Sequence, residues 1–408
     1  MRFTSLRSAL LAAVAMLLTT AGCGPLPATG GVASREPATP APTATTAPGA
    51  TPVPVPGYEL YGFVPYWEMD ATIADHLAQT PLTTLALFSV TDTAKGALDT
   101  RQTGYQRITG DPGLRLISEA HRRGVRVEVV FTSFGEARNR RFLADDVRRT
   151  ATITALVKLV GELDLDGVCV DVEGIEPSAV EAVAVFVDRL RTALVAADPG
   201  DRLTVSTQAN VSGSALAAAV IDSGADRVFL MGYDYRIGAS QPGATAPLDR
   251  RDGDRDLRWS MELYAAAGVP PERLLLGLPL YGVTWPVAGP VIGAPSTGNG
   301  DAWIPRRHLD VLTDSAIVPL RDSEEAVEVY LFGSDGSIGP PADGATPPLG
   351  ERTWTAVYVD SPATLAPKLA LANEAGYAGA GFWAIGYERG LSGYRELMTR
   401  FAAGEPEP

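Results

Sequence analysis

Two carboxylates in an apolar segment are the residues of this chain best suited to acid–base chemistry. Asp171 and Glu173 lie in the segment GVCVDVE, residues 167–173. Successive side chains of a β-strand point to opposite faces, so a strand here directs both carboxylates and Cys169 to one face and the three valines to the other. Burying two like charges is costly, so another interaction or a function has to offset that cost. The simpler alternative is a salt-bridged strand end at a surface, but the valines predict a strand that is covered on its outer face.

The pattern of the remaining chain predicts the scaffold that holds this strand. Short apolar strands alternate with helical stretches from Tyr58 onward, as expected for βα repeats with a parallel sheet. Eight such units predict an α/β fold of the TIM (β/α)8 barrel type, in which catalytic side chains lie at the C-terminal ends of strands. The predicted strands are 60–64, 84–88, 125–131, 167–173, 203–207, 227–231, 274–278 and 379–383, and the predicted helices include 111–123, 151–163, 178–197 and 363–375.

One interval of the chain is too long for a single loop and helix. It lies between Trp285 and Asp360, after the seventh predicted strand, and predicts an insertion at about residues 286–360. Strand-like runs at 327–332 and 354–359 are separated by turns rich in Gly and Pro, so the insertion contains strands of its own.

The N-terminal region has the composition of a targeting segment. Arg2 and Arg7 precede an apolar run at residues 9–18, which is too short to span a bilayer and is typical of a secretory signal. The run leads to Thr20-Ala21-Gly22-Cys23, which is similar to a bacterial lipobox. We therefore expect a lipoprotein signal peptide at 1–23 with lipidation of Cys23, or otherwise an ordinary cleaved signal peptide. Residues 24–56 are rich in Pro, Thr and Ala and predict a disordered linker before a folded domain at 57–402 and a tail at 403–408.

Charge and composition exclude several classes of partner. The 408 residues are 46% hydrophobic and carry a net charge of −14, which suits a globular protein and disfavours nucleic acid as a ligand. A neutral polysaccharide is compatible with this charge. The three histidines, His76, His121 and His308, have no metal-ligand spacing, so we expect neither a metal nor another cofactor. The charged run at 249–256 is interpreted as a solvated loop.

Several ordered segments together resemble one known family. DGVCVDVE at 166–173 resembles the strand-four signature of family 18 glycoside hydrolases, Asp-Gly-x-Asp-x-Asp-x-Glu, with Cys169 where the family has Asp or sometimes Asn. The resemblance runs from Gly57 to about Phe401. The further similar segments are PYW at 65–67, TSFG at 132–135 with one glycine missing, MGYD at 231–234, GLPLYG at 277–282 and FWA at 382–384. It implies a chitinase-like catalytic domain on a bacterial lipoprotein, with a small α+β insertion between strands seven and eight that forms one wall of the substrate cleft.

The resemblance also implies a role for each candidate residue. In this family the acetamido oxygen of the substrate attacks the anomeric carbon, and the configuration there is retained. Glu173 would be the general acid and base, Asp171 would accept a hydrogen bond from the acetamido N–H, and Tyr233 would bind its carbonyl. The residues implied to bind substrate are Asp234, Trp383, Tyr66, Trp67, Met231 and Trp285. Taken singly, Asp234 could instead cap a helix, and the aromatic residues, Trp303 among them, could simply be packed in a core.

Three functions are compatible with these residues. The resemblance implies hydrolysis of chitin-like glycans that contain β-1,4-linked N-acetylglucosamine. A peptidoglycan-directed endo-N-acetylglucosaminidase is the alternative of the same chemistry, and a non-catalytic sugar-binding protein on the same barrel is the alternative of another class. The expected partners are an N-acetylglucosamine-containing polysaccharide and the membrane, the latter through the lipid anchor only. We expect a monomer that is extracytoplasmic, either lipid-anchored or secreted, with Cys169 held as a neutral thiol beside the carboxylates.

Overall fold

The computed structural model describes residues 58–253, 255–339 and 353–405, which belong to one compact unit, residues 52–408. The predicted signal peptide with Cys23, the linker at 24–56 and the last three residues of the tail lie outside the described residues. Across the described ranges, each helix is too short or too polar to cross a membrane.

Within the described ranges, eight parallel strands close into a barrel, as the sequence predicts. They are β1 (Glu59–Pro65), β2 (Thr84–Val90), β3 (Arg126–Phe134), β4 (Gly167–Glu173), β5 (Arg202–Gln208), β6 (Arg227–Met231), β7 (Leu274–Pro279) and, after five strands of an insertion, β13 (Gly379–Trp383). Around the barrel the order is β1-β13-β7-β6-β5-β4-β3-β2. The predicted strands at 167–173, 227–231 and 379–383 have the observed bounds. The fold class is therefore confirmed.

The insertion between β7 and β13 forms a separate antiparallel sheet. Its strands are β8 (Gly282–Val287), β9 (Asp301–Trp303), β10 (Leu320–Asp322), β11 (Val327–Gly333) and β12 (Trp354–Val359). They lie in the order β10-β11-β12-β8-β9. The predicted start near residue 286 is too late, because β8 already pairs with β12 from Val283 onward.

Helices surround the barrel and bury their apolar sides against it, except for the short helix Leu309–Leu312, which belongs to the insertion and packs beside Trp303 and Tyr330. The helices are α1 (Ile73–Leu77), α2 (Thr103–Thr109), α3 (Asp111–Arg122), α4 (Glu136–Ala144), α5 (Asp146–Leu163), α6 (Val180–Ala197), α7 (Val211–Asp222), α8 (Leu257–Ala266), α9 (Leu309–Leu312), α10 (Pro362–Glu374) and α11 (Ser392–Ala402). Helix α5 begins five residues before its predicted start at 151. The side chain of Asp145 accepts a hydrogen bond from the backbone N–H of Arg148, so an N-cap, which the apolar pattern does not reveal, sets this start.

Strand β4 has the two faces that its alternation predicts. Val168, Val170 and Val172 are buried in the core between the barrel and its helices. Cys169 is buried on the other face, in a cluster inside the barrel that includes Phe63 and Phe229. Asp171 and Glu173 follow Cys169 on this inner face and therefore rise toward the C-terminal mouth of the barrel.

The Asp166-Gly167 pair at the start of β4 has a structural role. One carboxylate oxygen of Asp166 accepts a hydrogen bond from the backbone N–H of Val127 at 2.7 Å and contacts Nε2 of His121 at 2.8 Å. Gly167 has a φ of +146°, and a Cβ atom there would lie 2.0 Å from the carbonyl oxygen of Arg202. This pair therefore fixes where β4 begins between β3 and β5, and so the height of its carboxylates in the barrel.

Candidate active site

A cleft of about 270 Å³ opens where β4, β5 and β6 end. This is the C-terminal mouth of the barrel, where TIM barrels place their catalytic residues. Four of the predicted site residues, Glu173, Met231, Tyr233 and Asp234, line it. The other lining residues are Gln208, Ala209, Asn210, Tyr235, Arg250 and Arg255.

Asp171 lies below Glu173 on the inner face of β4 and is only 5% exposed. Its Oδ1 atom has no hydrogen-bond partner among the described residues. Burial raises the pKa of this carboxyl well above its ordinary value, and the charge of Glu173 raises it further. A buried acceptor without a partner is costly, so Asp171 is suited to receive a donor from a bound molecule.

Glu173 lies at the surface of the cleft and is held at both its main chain and its side chain. Its carbonyl oxygen accepts hydrogen bonds from the backbone N–H of Gly135 at 3.0 Å and from the side chain of Asn139. Its Oε2 atom accepts a long hydrogen bond of 3.4 Å from Nε2 of Gln208. Burial raises the pKa of Glu173, and the charge of Asp234 adds to this effect. A raised pKa favours the protonated carboxyl that a general acid must have.

Tyr233 and Asp234 follow β6 and face the same cleft. Asp234 has a left-handed backbone, with a φ of +61°, and its carboxylate accepts a hydrogen bond from the hydroxyl of Tyr281. The backbone N–H of Asp234 also donates to Oγ1 of Thr245 at 3.2 Å. Burial raises the pKa of Tyr233 well above its ordinary value, helped by the charges of Asp171 and Asp234. The Tyr233 phenol therefore stays protonated and can donate a hydrogen bond.

Cys169 occupies the layer of the barrel interior below Asp171. Its sulfur lies 3.5 Å from Oγ of Ser206. Burial raises the pKa of the thiol well above its ordinary value, and the charges of Glu128 and Asp171 raise it further. The thiol is therefore neutral near pH 7, as expected from the sequence.

The predicted aromatic residues lie across the barrel mouth from Glu173. Trp383 ends β13, which is four positions from β4 in either direction around the barrel. Its ring centroid lies 4.7 Å from that of Phe88 and 6.2 Å from that of Trp67. Trp67 is 37% exposed, and its Nε1 donates to the hydroxyl of Tyr387 at 3.0 Å, while Tyr66 packs edge-on against it at 4.9 Å. These rings form an aromatic surface beside the cleft rather than part of its 270 Å³ lining.

The prediction that Trp285 binds substrate is wrong. Trp285 lies on β8 with none of its surface exposed, and its ring packs edge-on against Tyr358 in the core of the inserted sheet. Val283 and Val287, two residues away on either side, share this buried face. Trp303 is also packed, stacked on His308 with their ring centroids 4.4 Å apart. Strand β8 was not predicted from the sequence. Its alternation directs Trp285 into the core of the inserted sheet.

Several cleft residues were missed by reasoning from the sequence. Gln208 and Asn210 were detectable, because they are polar residues that directly follow a predicted strand. Tyr281 does not line the cleft but donates to Asp234, which does, and it lies within the segment that resembles strand seven. Arg250 and Arg255 had no local signal, since a charged run looks the same whether it faces solvent or a cleft. In the described part of the chain, no three or more His, Cys, Asp and Glu side chains are grouped so that they could hold a metal ion.

Comparisons with known proteins agree with this geometry. Residues 62–388 match the family model described as Glycosyl hydrolases family 18. The putative sporulation-specific glycosylase YdhD of Bacillus subtilis (strain 168) is 28% identical over 165 residues, which cover 38% of this chain and 37% of that protein. This chain thus spans about two fifths of the length of the curated relatives that it matches.

Solved structures share the fold at low sequence identity. The spore cortex-lytic enzyme SleL of Bacillus cereus superposes with a TM-score of 0.66 at 16% identity, over 84% of this chain and 74% of that chain. The immunomodulatory active chitinase TsES1 of Trichuris suis superposes with a TM-score of 0.69 at 17% identity, over 84% of this chain and 98% of that chain. At these identities the likeness shows the fold alone.

Proposed function

We propose that this chain, which belongs to family 18 of the glycosyl hydrolases, cleaves glycans that contain β-1,4-linked N-acetylglucosamine and retains the anomeric configuration. The observation that carries the proposal is the buried Oδ1 of Asp171, which lacks a partner among the described residues. Asp171 lies two residues before Glu173 on the same face of β4, and Glu173 lines the cleft. An acetamido N–H of a bound sugar would satisfy this acceptor. A sugar without that group would leave it desolvated and unpaired.

The first step would form a cyclic intermediate from the substrate itself. Glu173 donates its proton to the glycosidic oxygen while the acetamido carbonyl oxygen attacks the anomeric carbon and the glycosidic bond breaks. Asp171 accepts a hydrogen bond from the acetamido N–H, and this hydrogen bond strengthens as positive charge develops on the cyclic intermediate. The hydroxyl of Tyr233, which its raised pKa keeps protonated, donates to the acetamido oxygen and orients it for attack.

The second step would release the sugar. The Glu173 carboxylate, now without its proton, accepts one from a water molecule, whose oxygen attacks the anomeric carbon from the side that the leaving group vacated. The bond to the acetamido oxygen breaks, and Glu173 is again protonated. Two displacements at one carbon restore the original configuration. The aromatic surface of Trp383 and Trp67 would pack against the apolar faces of the sugar rings.

The substrate class follows from the acetamido requirement, which chitin-like glycans and peptidoglycan both meet. Names among the similar proteins include both a sporulation-specific glycosylase and a chitinase. A non-catalytic sugar-binding protein is disfavoured, because Glu173 is present and has the raised pKa that an acid catalyst needs.

Replacing Glu173 by Gln tests the assignment. The variant keeps the size and hydrogen bonding of the side chain but has no transferable proton, so we expect kcat to fall at least about a hundredfold while binding of chitooligosaccharides is kept. Glu176→Gln is the matched control, since Glu176 pairs with Arg140 outside the cleft. Products are identified by mass spectrometry and binding by calorimetry. Turnover of Glu173→Gln near the wild-type rate would remove Glu173 from the mechanism, and a wild type that binds without cutting would favour the sugar-binding alternative.

We also propose that Cys23 is lipidated and that the domain is held outside the cytoplasm as a monomer. The proposal is supported by the lipobox-like residues 20–23 and by the linker-like composition of residues 24–56. Labelling with a radioactive fatty acid should mark the wild type but not Cys23→Ser. Equal labelling of both would refute the anchor.

A further inference from the structure

Two arginines line a cleft in which a neutral glycan would need no cation. Arg250 and Arg255 share the lining with the carboxyls of Glu173 and Asp234. The chain as a whole carries a net charge of −14, so two arginines in the lining of one cleft are not expected from its acidic composition. The planar guanidinium of arginine binds a carboxylate through two parallel N–H···O hydrogen bonds. An arginine in a cleft is therefore suited to recognise a carboxylate on the ligand.

The two arginines differ in how far their charge is compensated. Arg250 is tied down by Asp252, with Nε donating to Oδ1 at 2.8 Å and Nη2 donating to Oδ2 at 2.6 Å. Arg255 is exposed, and no hydrogen bond or ion pair joins its guanidinium to another described residue. Its guanidinium carbon lies 5.5 Å from the ring centroid of Trp259, a contact that orients the side chain and leaves its donors available.

Hydrogen bonds hold the backbone at Arg255 and at Asp256, the residue that follows it. Asp256 caps helix α8, with its Oδ1 accepting from the backbone N–H of Trp259 at 2.8 Å and its Oδ2 accepting from that of Arg250 at 3.2 Å. The carbonyl oxygen of Arg255 accepts from Nη1 of Arg250 at 3.3 Å. The Asp256 carboxylate is thus engaged by backbone donors, and Arg255 sits on an anchored segment at the edge of the cleft.

We propose that Arg255 is a specificity-determining residue that binds a carboxylate carried by the glycan, so that the cleft prefers carboxylated N-acetylglucosamine glycans, such as peptidoglycan, over neutral chitin. This inference rests on the proposed function for the site of hydrolysis and adds the class of its substrate. In peptidoglycan the carboxylate can come from the lactyl group of a peptide-free strand or from the attached peptide. Both sources are ionised at neutral pH and present the two oxygens that a guanidinium fork fits.

The test compares substrates with and without this carboxylate, and the methyl-esterified strands isolate the effect of its charge. They are chitooligosaccharides, peptide-free peptidoglycan strands of the same length, the same strands with their lactyl carboxylates methyl-esterified, and strands that keep their peptides. We expect Arg255→Gln to lower the ratio of kcat/KM for carboxylated over neutral substrate by about fivefold at low ionic strength, the upper range for an exposed ion pair. The wild-type ratio should fall as salt is added, because an exposed pair is screened. The substrate whose kcat/KM falls most in Arg255→Gln, either the peptide-free strand or the strand that keeps its peptides, identifies the source of the carboxylate.

The matched control is Arg258→Gln, which removes the same charge from α8 outside the cleft, where Arg258 pairs with Asp249 at 3.0 Å. An unchanged ratio in Arg255→Gln, or an equal change in Arg258→Gln, would overturn the proposal. If the wild type hydrolyses none of these glycans, the proposed function fails by itself. The same oligosaccharides are then compared by calorimetry, where a fivefold selective loss of affinity in Arg255→Gln supports the carboxylate site and an equal affinity for charged and neutral ligands refutes it.

Discussion

Glu128 is a buried carboxyl whose protonation should control the stability of the barrel. It lies on β3 inside the barrel and is 2% exposed. Its carboxyl accepts hydrogen bonds from the hydroxyls of Tyr61 at 2.7 Å and Thr204 at 3.1 Å. Burial raises the pKa of Glu128 from 4.5 to about 7, against the opposing effect of these two hydrogen bonds. The perturbation that we consider is Glu128→Gln, which keeps the shape of the side chain and removes its titration.

The magnitude follows from the two pKa values. The unfolded chain releases this proton near pH 4.5 and the folded protein near pH 7, so between these values the folded state binds more protons. The contribution of the neutral carboxyl to stability is therefore complete below pH 4.5 and is lost as the pH rises through 7. One pH unit corresponds to about 1.4 kcal/mol, which gives a loss of about 3 kcal/mol in the wild type. Glu128→Gln should lack this loss.

The assay is the free energy of unfolding in urea, followed by tryptophan fluorescence, at several pH values from 4.5 to 8. We expect the stability of Glu128→Gln minus that of the wild type to rise by about 3 kcal/mol over this range. Glu162→Gln is the control, because Glu162 is an exposed partner of Lys158 and should give a difference that barely changes with pH. A pH-independent difference for Glu128→Gln would refute the account. It would mean that water reaches Glu128 through the cavity of about 380 Å³ that it lines at the other end of the barrel.

Three further predictions concern the site and its support. Cys169→Ala should lower kcat/KM less than about tenfold, because a neutral thiol is a weak hydrogen-bond partner for Asp171. Cys169→Asp should instead change the acid limb of the pH-rate profile, because it creates a coupled carboxylate pair. Activity of folded Cys169→Ala as low as that of Glu173→Gln would contradict a passive thiol. Trp285→Ala should lower the free energy of unfolding by about 3 to 5 kcal/mol through loss of core packing, and a selective rise in KM without this loss would restore it as a sugar contact. A thiazoline analogue of N-acetylglucosamine should inhibit, because it resembles the cyclic intermediate, and cleavage of cellooligosaccharides at comparable rates would refute substrate assistance.

The two faces of β4 are determined by the sequence alone. The direction of a side chain on a strand depends only on its place in an alternation of two, so VCVDVE specifies that Asp171 and Glu173 share a face with Cys169. The sequence also predicts that helices cover the opposite face, because burial of the apolar side chains of Val168, Val170 and Val172 is favourable. The neutral state of the Cys169 thiol is predictable for the same reason, because it requires only burial beside carboxylates.

The alternation of a strand gives the direction of each side chain but not the element that packs against it. Only the tertiary structure determines that element. Trp285 lies in an alternating strand like Asp171, but its face packs against Tyr358 of the inserted sheet instead of opening to the cleft. Arg255 lines the candidate active site next to Asp256, which caps α8, and no short sequence pattern predicts that this segment meets the end of β4. The pKa of Glu128 and the unpartnered oxygen of Asp171 depend on desolvation, which many distant segments produce together by closing the barrel. Such effects are sums over contacts in space and have no signature in a short stretch of sequence.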